Sequence, residues 1–226
     1  RLAFDVPCLS PESFYTQGIA HLSAADIAAA GEMNCVIKLL AESRCLEDGS
    51  LAIAVEPVLL TRDSGLGLID GPQNAVMIEM KDGSGDYLLT GPGAGGAPTA
   101  SAVLSDLLGI IRYSGVSGDV SAGHYSQERK QGPDIVLARP DELVRSFFLR
   151  VEAIDRPGVM ADIGAVMRDH GVSMESLIQH GEAPDKPVNL SLVTHDAPRR
   201  AVSKARDALG RHDWLVQEPT MMPILR

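Results

Sequence analysis

Two turns carry the residues best suited to binding chemistry. The first, Asp155-Arg156-Pro157-Gly158-Val159, joins an apolar alternating segment to a helical one. Glycine permits close backbone approach, and a helix start presents unpaired N–H groups to an anion. An amino-acid carboxylate suits such a place, and Asp155, Pro157, Gly158 and Val159 are the candidate effector-binding residues. The same residues also make a plain turn with proline at the first helical position, and their types alone leave both readings open. The second, Gly91-Pro92-Gly93-Ala94-Gly95-Gly96-Ala97-Pro98-Thr99, feeds a helix and brings backbone N–H groups toward a phosphate. No Gly-Lys-Ser/Thr follows, so it is not a P-loop, and its glycine spacing fits a structural strand-to-helix turn at least as well.

Other chemistry is thinly represented. Cys8, Cys35 and Cys45 form no CxxC pair and read as small apolar packing residues in a reducing compartment. His21, His124, His170, His180, His195 and His212 show no HExxH or other ligand spacing, so no metal site is expected. The net charge of −10 offers nothing to neutralise phosphates, which argues against nucleic-acid and anionic-membrane partners. No apolar run approaches the roughly 20 residues of a membrane span, and no leader pattern opens the chain. The expectation is a soluble, cytoplasmic protein with a small-molecule or protein partner.

The elements that position the two turns follow from periodicity. Ser23-Ala24-Ala25-Asp26 resembles a capping box opening a short helix that Gly31 is expected to close. Val36-Ile37 and Leu39-Leu40, the turn Glu47-Asp48-Gly49-Ser50, and Leu51, Ile53 and Val55 up to Pro57 read as strand, turn, strand. A second hairpin spans 75–89 around Lys81-Asp82-Gly83-Ser84-Gly85. After the glycine loop comes a helix with Thr99 as the expected N-cap and Val103, Leu104, Leu107, Leu108 and Ile111 on one stripe. Residues 113–140 lose periodicity and read as a linker.

The remainder is more regular. Phe147, Leu149 and Val151 alternate with Phe148, Arg150 and Glu152 in a strand able to bury both faces. A helix follows with Val159, Ile163, Val166, Met167 and His170 on one face, closed by Gly171. Strands at 172–180 and around Val188, Leu190 and Leu192 flank a turn at 181–186. A helix over 196–211 carries Ala201, Val202, Ala205 and Leu209 inward, and a closing strand is expected near Trp214-Leu215-Val216. The order is βαββαβ, a ferredoxin-like sheet with two helices on one face. The fold class is therefore α+β.

Phe148 to Ile163, with Gly171-Val172-Ser173-Met174-Glu175-Ser176 after it, resembles an ACT domain over about Ser146 to Arg226. That resemblance implies allosteric binding of an amino acid near Asp155, Pro157 and Gly158, usually between two ACT domains. Gly18-Ile19, Asp26-Ile27, Val36 to Ala41, Glu56 to Leu60, Gly71 to Val76 and Gly91 to Val103 resemble the rear half of a homoserine dehydrogenase. The family pattern departs at Glu56, where His is frequent, and at Met33-Asn34-Cys35.

Several expectations follow from these likenesses. The domains are 1–112 (the C-terminal part of a substrate/catalytic domain), a linker at 113–145 and an ACT regulatory domain at 146–226. The activity is NAD(P)-dependent interconversion of aspartate semialdehyde and homoserine, in threonine, isoleucine and methionine biosynthesis. Gly95 and then Gly93 are the cofactor-binding residues, for NADP or NAD in the intact enzyme. No catalytic residue falls in the chain: the family's lysine aligns upstream of Arg1, whose lack of an initiator Met reads as a fragment, inactive alone. Threonine is the first-choice effector, and a homo-oligomer, a homodimer in the simplest case, is expected through the substrate-domain sheet, the ACT domain or both. The alternative is a stand-alone ACT sensor or dimerisation module without catalysis.

Overall fold

Ser23 accepts a hydrogen bond from the Asp26 amide at 3.3 Å while the Asp26 carboxylate accepts one from the Ser23 amide at 2.8 Å. This reciprocal box starts helix α1, Ala24–Glu32. In the computed structural model, which describes Phe4 and residues 9–114, 136–180 and 187–225, α1 runs through Gly31 rather than ending there. It stops where Asn34 takes a left-handed φ of 54°, a conformation that asparagine tolerates better than most residues.

Strand β1 is Tyr15–Thr16, and after α1 come β2, Cys35–Cys45, and β3, Leu51–Thr61. β2 and β3 pair antiparallel in unbroken register from Cys35–Thr61 to Cys45–Leu51. The expected stop at Pro57 does not occur, and β3 continues four residues further. Opposite β2, β3 meets β1 at Ala54 and Val55 and a later strand at Leu59 and Leu60, both parallel. Pro57 lies between those two pairings, where its missing N–H interrupts neither.

A second compact unit comprises Phe4 and the described residues of 63–133, whereas those of 8–62 and 134–226 cluster together in the first. These units cut across the boundaries read from the sequence. The second unit contains a hairpin of β4, Gln73–Glu79, and β5, Asp86–Pro92, followed by α2, Gly96–Ser114. Val103, Leu104, Leu107, Leu108 and Ile111 share a helical stripe as the spacing requires, yet all five are exposed. The expected linker would begin at 113, but α2 runs to Ser114; 115–135 lie outside the described residues, and beyond them Leu137 bridges Leu51.

The βαββαβ order is realised within the first unit. Its elements are β7, Phe147–Ile154; α3, Val159–Asp169; β8, Met174–His180; β9, Pro187–Thr194; α4, Arg199–Leu209; and β11, Thr220–Leu225. The short β6, Val144–Arg145, and β10, Ala197–Pro198, form a small antiparallel pair beside them. The sheet order β11-β7-β9-β8 is antiparallel throughout and ferredoxin-like. The molecule is α+β. The turn expected at 181–186 lies outside the described residues.

The closing strand falls later than the sequence indicates. Trp214 is buried in the helix-side core, and Leu215 makes a single bridge to Ala153. A tryptophan side chain that large fills the core end better than it sits in a strand, and its N–H reaches Asp162. The true strand, β11, contains Pro223, a poor residue for a central ladder. Pro223 is the last residue paired with β7, and Ile224 and Leu225 then pair with β3. One seven-stranded sheet thus joins the front strands to the βαββαβ unit.

β7 buries both faces, as its alternation requires. Phe147, Leu149 and Val151 pack with Ile163 and Met167 of α3 and Val202, Ala205 and Leu209 of α4. Phe148 faces the other way, into a cluster with Ala29 and Ala30 of α1, Cys35, Leu59 and Met222. Cys35 is the packing residue expected, Cys45 is exposed at the end of β2, and Cys8 lies outside the described residues.

Candidate functional site

The turn 155–159 sits at the end of β7. Gly158 is the N-cap of α3 with φ 102°, a left-handed conformation that favours glycine, and no side chain caps the helix start. Pro157 therefore precedes the cap instead of occupying the first helical position. Asp155 accepts a hydrogen bond from Gln179 of β8 at 3.1 Å, Pro157 and Gly158 are exposed, and Val159 is buried in the core beneath them. Arg156 pairs with Asp213, so this cation is engaged by the loop after α4. Asp162, in the first turn of α3, accepts from the Trp214 indole at 3.0 Å, and His212 stacks on that indole.

This arrangement brings Asp155, Pro157 and Gly158 together at one corner. An uncapped helix start offers N–H groups to a carboxylate, and the Asp155 carboxylate beside it offers a partner for an ammonium group. A zwitterionic amino acid carries both.

The glycine loop leaves β5 and enters α2 within the second unit. The Gly93 amide donates to the Pro72 carbonyl at 2.7 Å, and the Asn74 side chain occupies the place a Cβ on residue 93 would take. Gly95 has φ 119° and faces Pro98. Both positions thus have local reasons to be glycine. Thr99 is not the N-cap: α2 starts three residues earlier, and the Thr99 hydroxyl donates to the Gly95 carbonyl at 2.7 Å. Pro98 fits the first turn because its absent N–H has no helical partner to lose.

Gly95, Gly96, Thr99, Ala100, Val103 and Leu104 line a shallow, open, mainly apolar depression. The loop follows a hairpin strand, not the first strand of a parallel βαβ unit, so its context is not that of a dinucleotide fingerprint.

What residue reading missed is a set of buried and partly buried ion pairs. Arg150 of β7 donates through Nε to Asp26 at 2.6 Å and through Nη1 to Asn189 at 3.0 Å. Arg145 of β6 holds Glu42 through both terminal nitrogens, at 2.9 and 3.2 Å. Arg199, the first residue of α4, pairs with Glu56 of β3. Burial pushes the Glu56 carboxyl above its ordinary range despite the opposing pull of Arg199 and Arg145. Burial also pushes Asp26 up, but the hydrogen bonds from Arg150 and Ser23 together outweigh it and hold Asp26 below the ordinary value. The available signal was Arg150, a charge in the middle of a strand that Phe147, Phe148, Leu149 and Val151 mark for burial.

Comparison with known proteins completes the picture. Residues 1–108 match the model of the homoserine dehydrogenase family, and residues 147–211 match that of the ACT domain. A homoserine dehydrogenase of Neisseria gonorrhoeae is 32% identical over 221 residues, which are 98% of this chain and 50% of that protein. One from Pseudomonas aeruginosa is 32% identical over 92% of this chain and 48% of its own length. The crystal structure of a homoserine dehydrogenase from Thiobacillus denitrificans superposes with a TM-score of 0.78 at 28% identity, covering 99% of this chain and 50% of that one. The chain spans about half the length of these relatives.

Proposed function

Because the chain belongs to the homoserine dehydrogenase family and carries an ACT domain behind its homoserine dehydrogenase segment, we propose that it is the C-terminal portion of an amino-acid-regulated homoserine dehydrogenase. The reaction is the NAD(P)-dependent interconversion of aspartate semialdehyde and homoserine, in the cytoplasm, on the route to threonine, isoleucine and methionine. The observation that carries this reading is the order of the two family matches on one chain, 1–108 and then 147–211. The corresponding domains are 1–112 and 146–226, joined at 113–145.

The residues have divided roles. Gly95 and Gly93 lend the loop backbone to one edge of NADP or NAD, which supplies the hydride when bound. Asp155, Pro157, Gly158 and Val159 form the corner that receives the effector, threonine in the first instance: the α3 start takes the carboxylate and Asp155 the ammonium group. The exposed apolar residues Val76, Ile78 and Leu89 on the β4–β5 hairpin support assembly into a homo-oligomer through that sheet.

Two experiments test the reading. Assayed with aspartate semialdehyde and NADPH, the 226-residue chain is expected to give no turnover, because its Gly91–Gly96 loop lies outside a βαβ context; turnover at an ordinary enzyme rate overturns that part. Calorimetry with threonine, isoleucine and methionine should show heat for at least one. Absence of heat and of thermal stabilisation with all three leaves the ACT domain a purely structural role.

A further inference from the structure

Three ion pairs among the described residues, two of them fully buried and the Arg145–Glu42 pair partly so, share one polarity. Each acid lies in the front segment (Asp26 on α1, Glu42 on β2, Glu56 on β3), and each arginine (Arg150, Arg145, Arg199) lies in or beside the βαββαβ module. The Glu56–Arg199 pair differs from the other two in how little it returns. Arg199 is 5% exposed and Glu56 3%, yet among the described residues Glu56 Oε2 and Arg199 Nε have no hydrogen-bond partner. Arg145 Nε is also unpartnered, but Arg145 makes two hydrogen bonds to a Glu42 that is 23% exposed, so only the Glu56 pair is unsatisfied on both sides while fully buried. Arg199 also begins α4, the helix end whose dipole disfavours a cation, behind a Pro198 cap that contributes no side-chain bond. A buried pair with incomplete hydrogen bonding gains little over apolar residues of similar size, and its best-attested use is to specify one arrangement.

We propose that the Glu56–Arg199 pair is a docking key: it fixes how the ACT module seats on strands β1 to β3 and makes the two respond together, without adding net stability. The placement supports this. The Arg199 guanidinium lies over the Tyr15 ring of β1, 4.6 Å from its centroid, and 5.4 Å from that of Phe147 at the start of β7. α4, which it begins, packs against α3, and α3 begins at the effector turn. Displacement of the turn therefore reaches β1 and β3 through two packed helices and one guanidinium. Only this last step, the signal carried, rests on the effector reading; the seating does not.

The test replaces both partners in the whole chain, E56M together with R199M, so that no lone charge is left buried. Trp214, the single tryptophan, reports unfolding of the ACT core, and hydrogen exchange of 51–61 reports the front sheet. The double variant should keep the Trp214 thermal midpoint within roughly 3 °C of the parent. Its β3 amides should exchange about tenfold faster through a separate opening. Unchanged β3 exchange overturns the proposal, as does a Trp214 midpoint lowered by about 10 °C, which makes the pair a structural prop. R199M alone, leaving Glu56 unpaired, should lower that midpoint well below the double variant, and equal midpoints also count against the key.

An arm with threonine, isoleucine and methionine follows the signal. In the parent, a bound amino acid slows exchange at both 155–160 and 51–61; in the double variant, only at 155–160. Equal slowing of both segments in the double variant overturns transmission through the pair. If none of the three binds, the effector reading fails, and β3 exchange without ligand still decides the seating.

Discussion

Removing the Arg150 side chain leaves the Asp26 carboxylate fully buried without the guanidinium that holds it. Asp26 also closes the α1 capping box, so Arg150→Met should cost about 3–5 kcal/mol, measured by denaturant unfolding. The two buried acids pull stability in opposite directions with pH. The folded pKa of Asp26 lies below its ordinary 3.8, so its contribution is complete above that value and is lost as pH falls through the folded pKa. Glu56 lies above its ordinary 4.5, so its contribution is present at lower pH and fades as pH rises through the raised value. Asp26→Asn should therefore flatten the acid limb of a stability-against-pH curve, and Glu56→Gln the decline above the ordinary glutamate range; a Glu56→Gln curve parallel to the parent's contradicts the assignment. Residue types alone could not give these pairs, because Asp26 and Arg150 lie 124 positions apart and nothing local in either segment names its partner.

At the scale of elements, local chemistry was legible wherever it is self-contained. The Ser23–Asp26 box, both hairpins, the two-faced β7 and the stop at Gly171 all depend on residues within a few positions of each other. The misplacements share a physical cause, since tertiary context overrode the local signal. Pro57 is tolerated between two short pairings, Trp214 fills the core instead of the sheet, and Pro223 lies where β11 changes partner. The strand-to-helix turn at 155–159 was legible in the sequence, but Gly158 is the N-cap and Pro157 precedes it instead of taking the first helical position. Gly158→Ala forces a side chain into φ 102° although, among the described residues, no atom obstructs a Cβ there, so its cost is backbone strain, about 1–2 kcal/mol. Thermal unfolding should show that loss. If the turn takes an amino acid, the same substitution should weaken calorimetric binding more than Asn34→Ala, which imposes similar strain at the far side of α1. Equal affinities for the two variants count against the turn as the binding corner.

At the scale of the molecule, the first unit is assembled from two stretches of chain, and 63–133 forms the other unit. The sheet should therefore survive removal of 63–133, provided the replacement reaches. Residue 62 follows the Thr61 end of β3, and its amide bonds to Asn34; Val136 accepts from Leu51 at the opposite end of that strand. The eleven residues of β3 make ten steps from Leu51 to Thr61, which at about 3.3 Å per step is roughly 33 Å. A fully extended connection thus needs at least about 10 residues, and a Gly/Ser linker whose typical span matches this length needs about 30–40. With such a linker, the shortened chain should keep Trp214 buried and unfold cooperatively, whereas a four-residue joint should not. Fluorescence-detected denaturation of both versions decides it: loss of the cooperative transition with the long linker means that the seven-stranded sheet depends on 63–133 for more than connection.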